Sequence, residues 1–193
     1  MRSTADMKCT FAIIGVILVC CVLAGCKTSS PAVKLPAPVK TGSLASVDFN
    51  FILVNATNSS PDLQTETSLL QDYILSGLRE TGLFPTVEDV YTNGAASNGI
   101  KISASIKQIT KVTKDSRDWF GGLAGKAQVV VPVTVSDLQT GKPIEVFEVV
   151  GETGASARAG TTPEAIQQAA AKIVAEIASL NSQAAQELIQ QGK

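Results

Sequence analysis

The chain has 193 residues, with 16 Lys and Arg against 17 Asp and Glu, a net charge of −1, no histidine, and four cysteines. All four cysteines stand at or before position 26. Without histidine or a free thiol in the remainder, the usual zinc sites, Ser-His-Asp triads and Cys-His pairs are excluded, and the slightly acidic balance argues against nucleic acid and against a polybasic lipid-surface patch.

The first element is a leader. Arg2 and Lys8 precede an apolar run from Phe11 through Val22, followed by "LAGC" at 23–26. The run has the length of a signal-peptide apolar region and is short for a bilayer span, which takes ~20 apolar residues. "LAGC" closing such a run resembles the lipobox of bacterial lipoproteins. The resemblance implies cleavage between Gly25 and Cys26, and acylation of Cys26 as the new first residue. The competing reading is an uncleaved anchor from Cys9 to Gly25, and Met7 offers an alternative start. Each buried methylene contributes ~0.8 kcal/mol, so two or three acyl chains on Cys26 would hold the protein to the membrane without a spanning helix. Lys27 after the cysteine resembles lipoproteins sorted to the outer membrane of Gram-negative bacteria.

Removing residues 1–25, with Arg2, Lys8 and Asp6, leaves 168 residues carrying 14 basic and 16 acidic groups, a net of −2. That length supports one domain with a packed core. With a single lipidated cysteine, no internal disulfide is available. Residues 26–42 hold Pro31, Pro36 and Pro38 among small and basic residues. They read as an extended tether, able to reach ~50 Å in polyproline-II form. Residues 43–193 are the expected domain.

A first strand is expected in "ASVDFNFILVN", where Val47, Phe49, Phe51 and Leu53 share one face. A helix follows: Ser60 suits its cap, Pro61 its first position, and Leu70, Ile74 and Leu78 recur every four residues, with Gly82 ending it. "LFPTVEDVY" predicts a short strand and "TNGAASNG" a loop. In "GIKISASIKQI", Ile100, Ile102, Ala104 and Ile106 alternate but Ile109 breaks the pattern, which predicts a bulge near Lys107 and Gln108. "AQVVVPVTVSD" alternates from Ala127 to Val135, with Pro132 marking an edge or bulged position. "DLQTGKP" turns into the strand "IEVFEVVGE". Thr162, Pro163 and Glu164 open a last helix that packs Ile166, Ala170, Ile173, Ile177 and Leu180, and Asn181 and Ser182 are expected to end or bend it. The order β-α-β-β-β-β-α predicts an α+β two-layer sandwich, a mixed, mostly antiparallel sheet with two helices on one face.

Candidate chemistry is sparse. "GGLAGKA" at 121–127 fails as a phosphate loop: Gly121 to Gly125 is one residue short, Ala127 replaces the magnesium-binding hydroxyl, and a strand follows. Glu88 and Asp89 point to opposite strand faces, as do Glu145 and Glu148 unless a bulge intervenes. Asp115 and Asp118 flank Arg117 as a solvated loop would. "NAT" and "NSS" at 55–60 match glycosylation acceptors, a reading that a bacterial lipoprotein disfavours. Trp119, the one tryptophan, and Phe120 stand in "SRDWFGG", expected on the loop before the "AQVVV" strand. Two readings stay open for this pair: a partner-binding anchor, or rings folded back to cap the sandwich.

Beyond the lipobox, "SLLQDYILSGLRETGLF", "GGLAGKAQVVVPVTVSDLQTGKPIEVFEV" and "TTPEAIQQAAAKIVAEI" resemble YajG-like lipoproteins and the small domains of the TolB amino-terminal, LpoB and CsgG type. The resemblance implies an α+β envelope domain that binds other envelope components and catalyses nothing; no cofactor or metal is expected. The expected function is a lipid-anchored periplasmic binding or scaffolding module. Its alternative is an accessory subunit of an envelope transport, secretion or assembly machine. An enzyme using Ser and carboxylates ranks behind both. Partners are the membrane, through Cys26, and an unidentified envelope protein.

Overall fold

The computed structural model describes residues 43–58, 60–91, 98–120, 125–154 and 160–191, all within the compact unit Leu35–Lys193. Gly25, Cys26 and the tether lie outside the described residues, as do most of the "TNGAASNG" loop and residues 121–124 of the glycine run. The elements are β1 (Phe51–Asn58), α1 (Gln64–Glu80), β2 (Thr86–Asp89), β3 (Ile100–Ile106), β4 (Gln108–Thr110), α2 (Lys114–Phe120), β5 (Gln128–Asp137), β6 (Pro143–Glu152) and α3 (Thr162–Gln191). Short 3-10 turns at Leu44–Ser46 and Pro61–Leu63 precede β1 and α1.

The sheet runs β2-β1-β3-β5 with β6 on the outer side of β5, and β4 continues β3 along the same flank of β5. β1 pairs parallel with β2 and β3, while every pairing of β5 is antiparallel. The expected mixed, mostly antiparallel sheet is therefore present. Its buried side chains share one face: Ile52, Val54 and Ala56 beside Ile100, Ile102 and Ala104, then Val131, Val133 and Val135, then Phe147 and Val149. Both long helices cover this face and close the core with Leu70, Ile74 and Leu78 from α1 and Ile166, Ile173, Ile177 and Leu180 from α3. Fully burying each such side chain contributes about 1.5–3 kcal/mol.

Three expectations change. In β1 the buried set is Ile52, Val54 and Ala56, whereas Phe51 and Leu53 lie half-buried on the other face. "FILV" is apolar in both registers, so alternation alone could not choose; pairing beside Ile100 and Ile102 settles it. Phe49 is buried, but ahead of the strand. The segment before β5 contains a helix, α2, not only a loop. Finally, α3 does not stop at Asn181 and Ser182: Ser182 Oγ donates back to the Ala178 carbonyl at 3.1 Å, Ala184 is buried, and the helix runs to Gln191.

The third predicted strand is split in two at Lys107, and the split is the predicted bulge. Ala104 faces Val133 and Gln108 faces Val130, so one extra residue is accommodated on the β3–β4 side. The shift turns Ile109 back toward the core, against which it packs. Val130 accepts from the Lys107 N–H at 3.0 Å. By the two-residue alternation Pro132 presents its donor-less nitrogen to the same flank, between those two pairs. Pro132 thus occupies a bulged position in an interior strand. A second register shift, at Val135/Ser136, buries both Ile144 and Glu145.

Candidate functional site

Among the described residues, hydroxyls meet carboxylates at two exposed places: Ser43 Oγ donates to Glu187 Oε2 at 3.0 Å, and Thr140 Oγ1 donates to Asp137 Oδ1 at 2.9 Å within the β5–β6 turn. Glu88 and Asp89 alternate along β2. Glu145 is fully buried, while Glu148 stands on the opposite face and pairs with Lys107 at 3.1 Å. Asp115 and Asp118 are exposed on α2, and no group of three His, Cys, Asp or Glu converges among the described residues.

What the fold does build is a surface around α2. Its base is stitched to the start of α3: the Val112 N–H donates to Thr162 Oγ1 at 2.8 Å, and the Thr162 N–H donates to the Val112 carbonyl at 3.0 Å. Thr113 then caps α2, its Oγ1 accepting from the Ser116 N–H at 3.1 Å, with Asp115 favourably placed in the first turn. Lys114, Asp115, Ser116, Arg117 and Asp118 provide no apolar stripe, so nothing draws this helix into the core. Trp119 and Phe120 end it with 85% and 64% of their surface exposed. The capping alternative is thereby overturned: neither ring covers the end of the sandwich.

Beside α2, between the first turns of α1 and α3, lies a pocket of about 590 Å³. Its floor is Leu69, Val112 and Ile166. On the rim, Lys111 Nζ meets Glu66 Oε1 at 2.8 Å and reaches the Asp62 carbonyl at 3.5 Å. Partial burial pushes the Glu66 carboxyl up, but the Lys111 hydrogen bond, a backbone hydrogen bond and the Lys111 charge together hold it below the usual glutamate value. Glu164 Oε2 turns back to accept from the Gly160 N–H at 2.6 Å and the Thr161 N–H at 3.3 Å, closing the N-terminus of α3. Lys114 completes the rim.

Apart from Leu69 in the apolar run of the first helix and the helix-opening Thr162, Pro163, Glu164 and Ile166, no residue of this pocket stood out in the sequence, because it is assembled from three distant segments. The glycosylation-like asparagines serve structure. Asn55 lies in β1, and Asn58 Nδ2 donates to Thr67 Oγ1 at 3.0 Å, tying the end of β1 to α1.

No protein-family model matches the chain, and no curated protein matches it in sequence. Solved structures do. PelC from Paraburkholderia phytofirmans, crystallised as a dodecamer, superposes with a TM-score of 0.52 at 14% identity, covering 74% of this chain and 95% of that one. Protein XCC0632 from Xanthomonas campestris, a DUF330 protein, superposes with a TM-score of 0.50 at 10% identity, covering 79% and 94%. What is shared is the fold. Nearly the whole of each of these proteins is matched, so the sheet and its helices form a recurring unit.

Proposed function

We propose that this chain is a lipid-anchored binding module of the bacterial envelope, held to the outer membrane through Cys26, facing the periplasm and catalysing no reaction. The observation that carries the binding role is the pair Trp119 and Phe120, exposed at the tip of a helix whose base is clamped to α3. Large aromatic side chains on a rigid mount are the commonest energetic anchors of protein interfaces, and they lose little conformational entropy on docking. The lipid anchor rests on "LAGC" and on the proline-bearing tether after it. Among the described residues no helix is long and apolar enough to cross a membrane.

Photocrosslinking from position 119 in living cells, with Cys26 intact, tests this. A discrete adduct with an envelope protein is expected, and mass spectrometry of it identifies the partner. A folded protein that gives no adduct from position 119 counts against the reading.

A second reading, a subunit of a larger envelope assembly, draws support from the shared fold with PelC, a dodecamer in its solved form. Native mass measurement of the lipidated protein tests it: a discrete multimer supports this reading and a monomer at every concentration removes it. Shortening residues 28–42 should abolish function in such an assembly while leaving folding intact.

A further inference from the structure

The pocket at the base of α2 has the size of a small-ligand site; such sites run about 300–1,000 Å³. Its charges are unevenly engaged. Glu66 is held by Lys111, and the Glu164 oxygen that faces the helix start is occupied by two backbone N–H groups. Lys114 makes no ion pair or hydrogen bond among the described residues, although it stands on the same rim. Among the described residues, Lys114 is therefore the one charged side chain of the lining with no ion pair or hydrogen bond, and it stands beside an apolar floor of Leu69, Val112 and Ile166.

An alkyl chain laid on that floor gains about 0.8 kcal/mol for each methylene removed from water. An ammonium on the rim with no partner among the described residues favours a ligand whose other end is anionic. A wholly polar ligand would leave the floor unmatched, and a cationic one would meet Lys114. We infer that this pocket binds a single-chain anionic amphiphile, an alkyl chain ending in a carboxylate or a phosphate, with the chain on Leu69, Val112 and Ile166 and the head at Lys114. This goes beyond the protein-partner role and does not depend on it.

The test uses the full chain in its own membrane. Cells are fed a palmitic acid analogue carrying a diazirine in its chain and a free carboxylate, irradiated, and the purified protein is mapped by peptide mass spectrometry. Adducts are expected on segments 65–69, 111–114 and 161–166, separate from acylation at Cys26. The adduct mass distinguishes the free acid from the same chain esterified in a phospholipid. Lys114→Glu should cut the adduct yield about fivefold or more, while Lys114→Arg should retain it. Thr65→Trp, at an exposed position on the rim, should block entry without touching the core. Adducts scattered over the surface, or a yield indifferent to both Lys114→Glu and Thr65→Trp, would overturn the inference.

Discussion

Gly151 of β6 lies directly under Ala165 of α3: a Cβ placed on Gly151 would run into the Ala165 carbonyl oxygen and reach the Ala169 nitrogen at 2.9 Å. The helix rests on the strand backbone itself at this point, with no side chain between them. Ala165 and Ala169, both buried, keep the helix side of the contact equally small. This crossing brings the first turn of α3, and with it Thr162, down to the level where Val112 and the base of α2 are held.

Gly151→Ala should therefore destabilise the domain by about 3 kcal/mol or more, since the new methyl meets helix backbone that cannot rotate away, and Tm should fall by roughly 6–12 °C. Gly154→Ala is the matched control, because nothing lies within 4 Å of the added Cβ there. Thermal unfolding followed by circular dichroism compares the two. Equal Tm values would mean that α3 does not cross β6 at this depth.

Ile177→Ala removes a fully buried side chain from the side of α3 that faces the sheet. The lost transfer energy and the cavity left behind should cost about 2–5 kcal/mol in urea unfolding, with little change in the m-value. A cost below about 1 kcal/mol would place Ile177 outside the core.

The helical parts of this fold were legible because their apolar period is unambiguous. Leu70, Ile74 and Leu78, and Ile166, Ala170, Ile173, Ile177 and Leu180, are buried as their spacing requires. Ile109 and Pro132 each broke a strand rule, and both breaks trace to the single bulge at Lys107. The face of β1 was not legible, because four consecutive apolar residues fit either register and only the neighbouring strand chooses. α2 was missed for the opposite reason: seven residues without an apolar stripe send no periodic signal. The pocket was invisible to any local reading, since Glu66, Lys111 and Glu164 become neighbours only once β4 has been carried past the starts of both long helices.

Trp119→Ala with Phe120→Ala should separate binding from stability. Both rings are largely exposed, so the double variant should keep its unfolding free energy to within about 0.5 kcal/mol and its Tm to within about 2 °C. Recovery of the protein partner in a pull-down from crosslinked cells should be lost. A collapse of Tm instead would show that the rings pack against the domain.

Glu66 and Lys111 give the site a pH signature whose sign can be reversed. With Lys111 present, the folded Glu66 pKa lies below its ordinary value of 4.5. Its carboxylate therefore stabilises the fold at every pH above the unfolded value, and that contribution fades as pH drops through the lower, folded one. Burial is the largest single influence on Glu66 and acts upward. In Lys111→Met both lowering effects of Lys111 vanish and only the smaller backbone hydrogen bond still opposes burial. The folded Glu66 pKa should then rise above 4.5. Below pH 6 the Lys111→Met variant should lose less stability on acidification than the parent, by under about 1 kcal/mol because Lys111 is partly exposed. Carboxyl-carbon NMR of Glu66 across pH 3–7 reads the midpoint directly. A midpoint that Lys111→Met leaves in place would show that the 2.8 Å pair does not persist in solution.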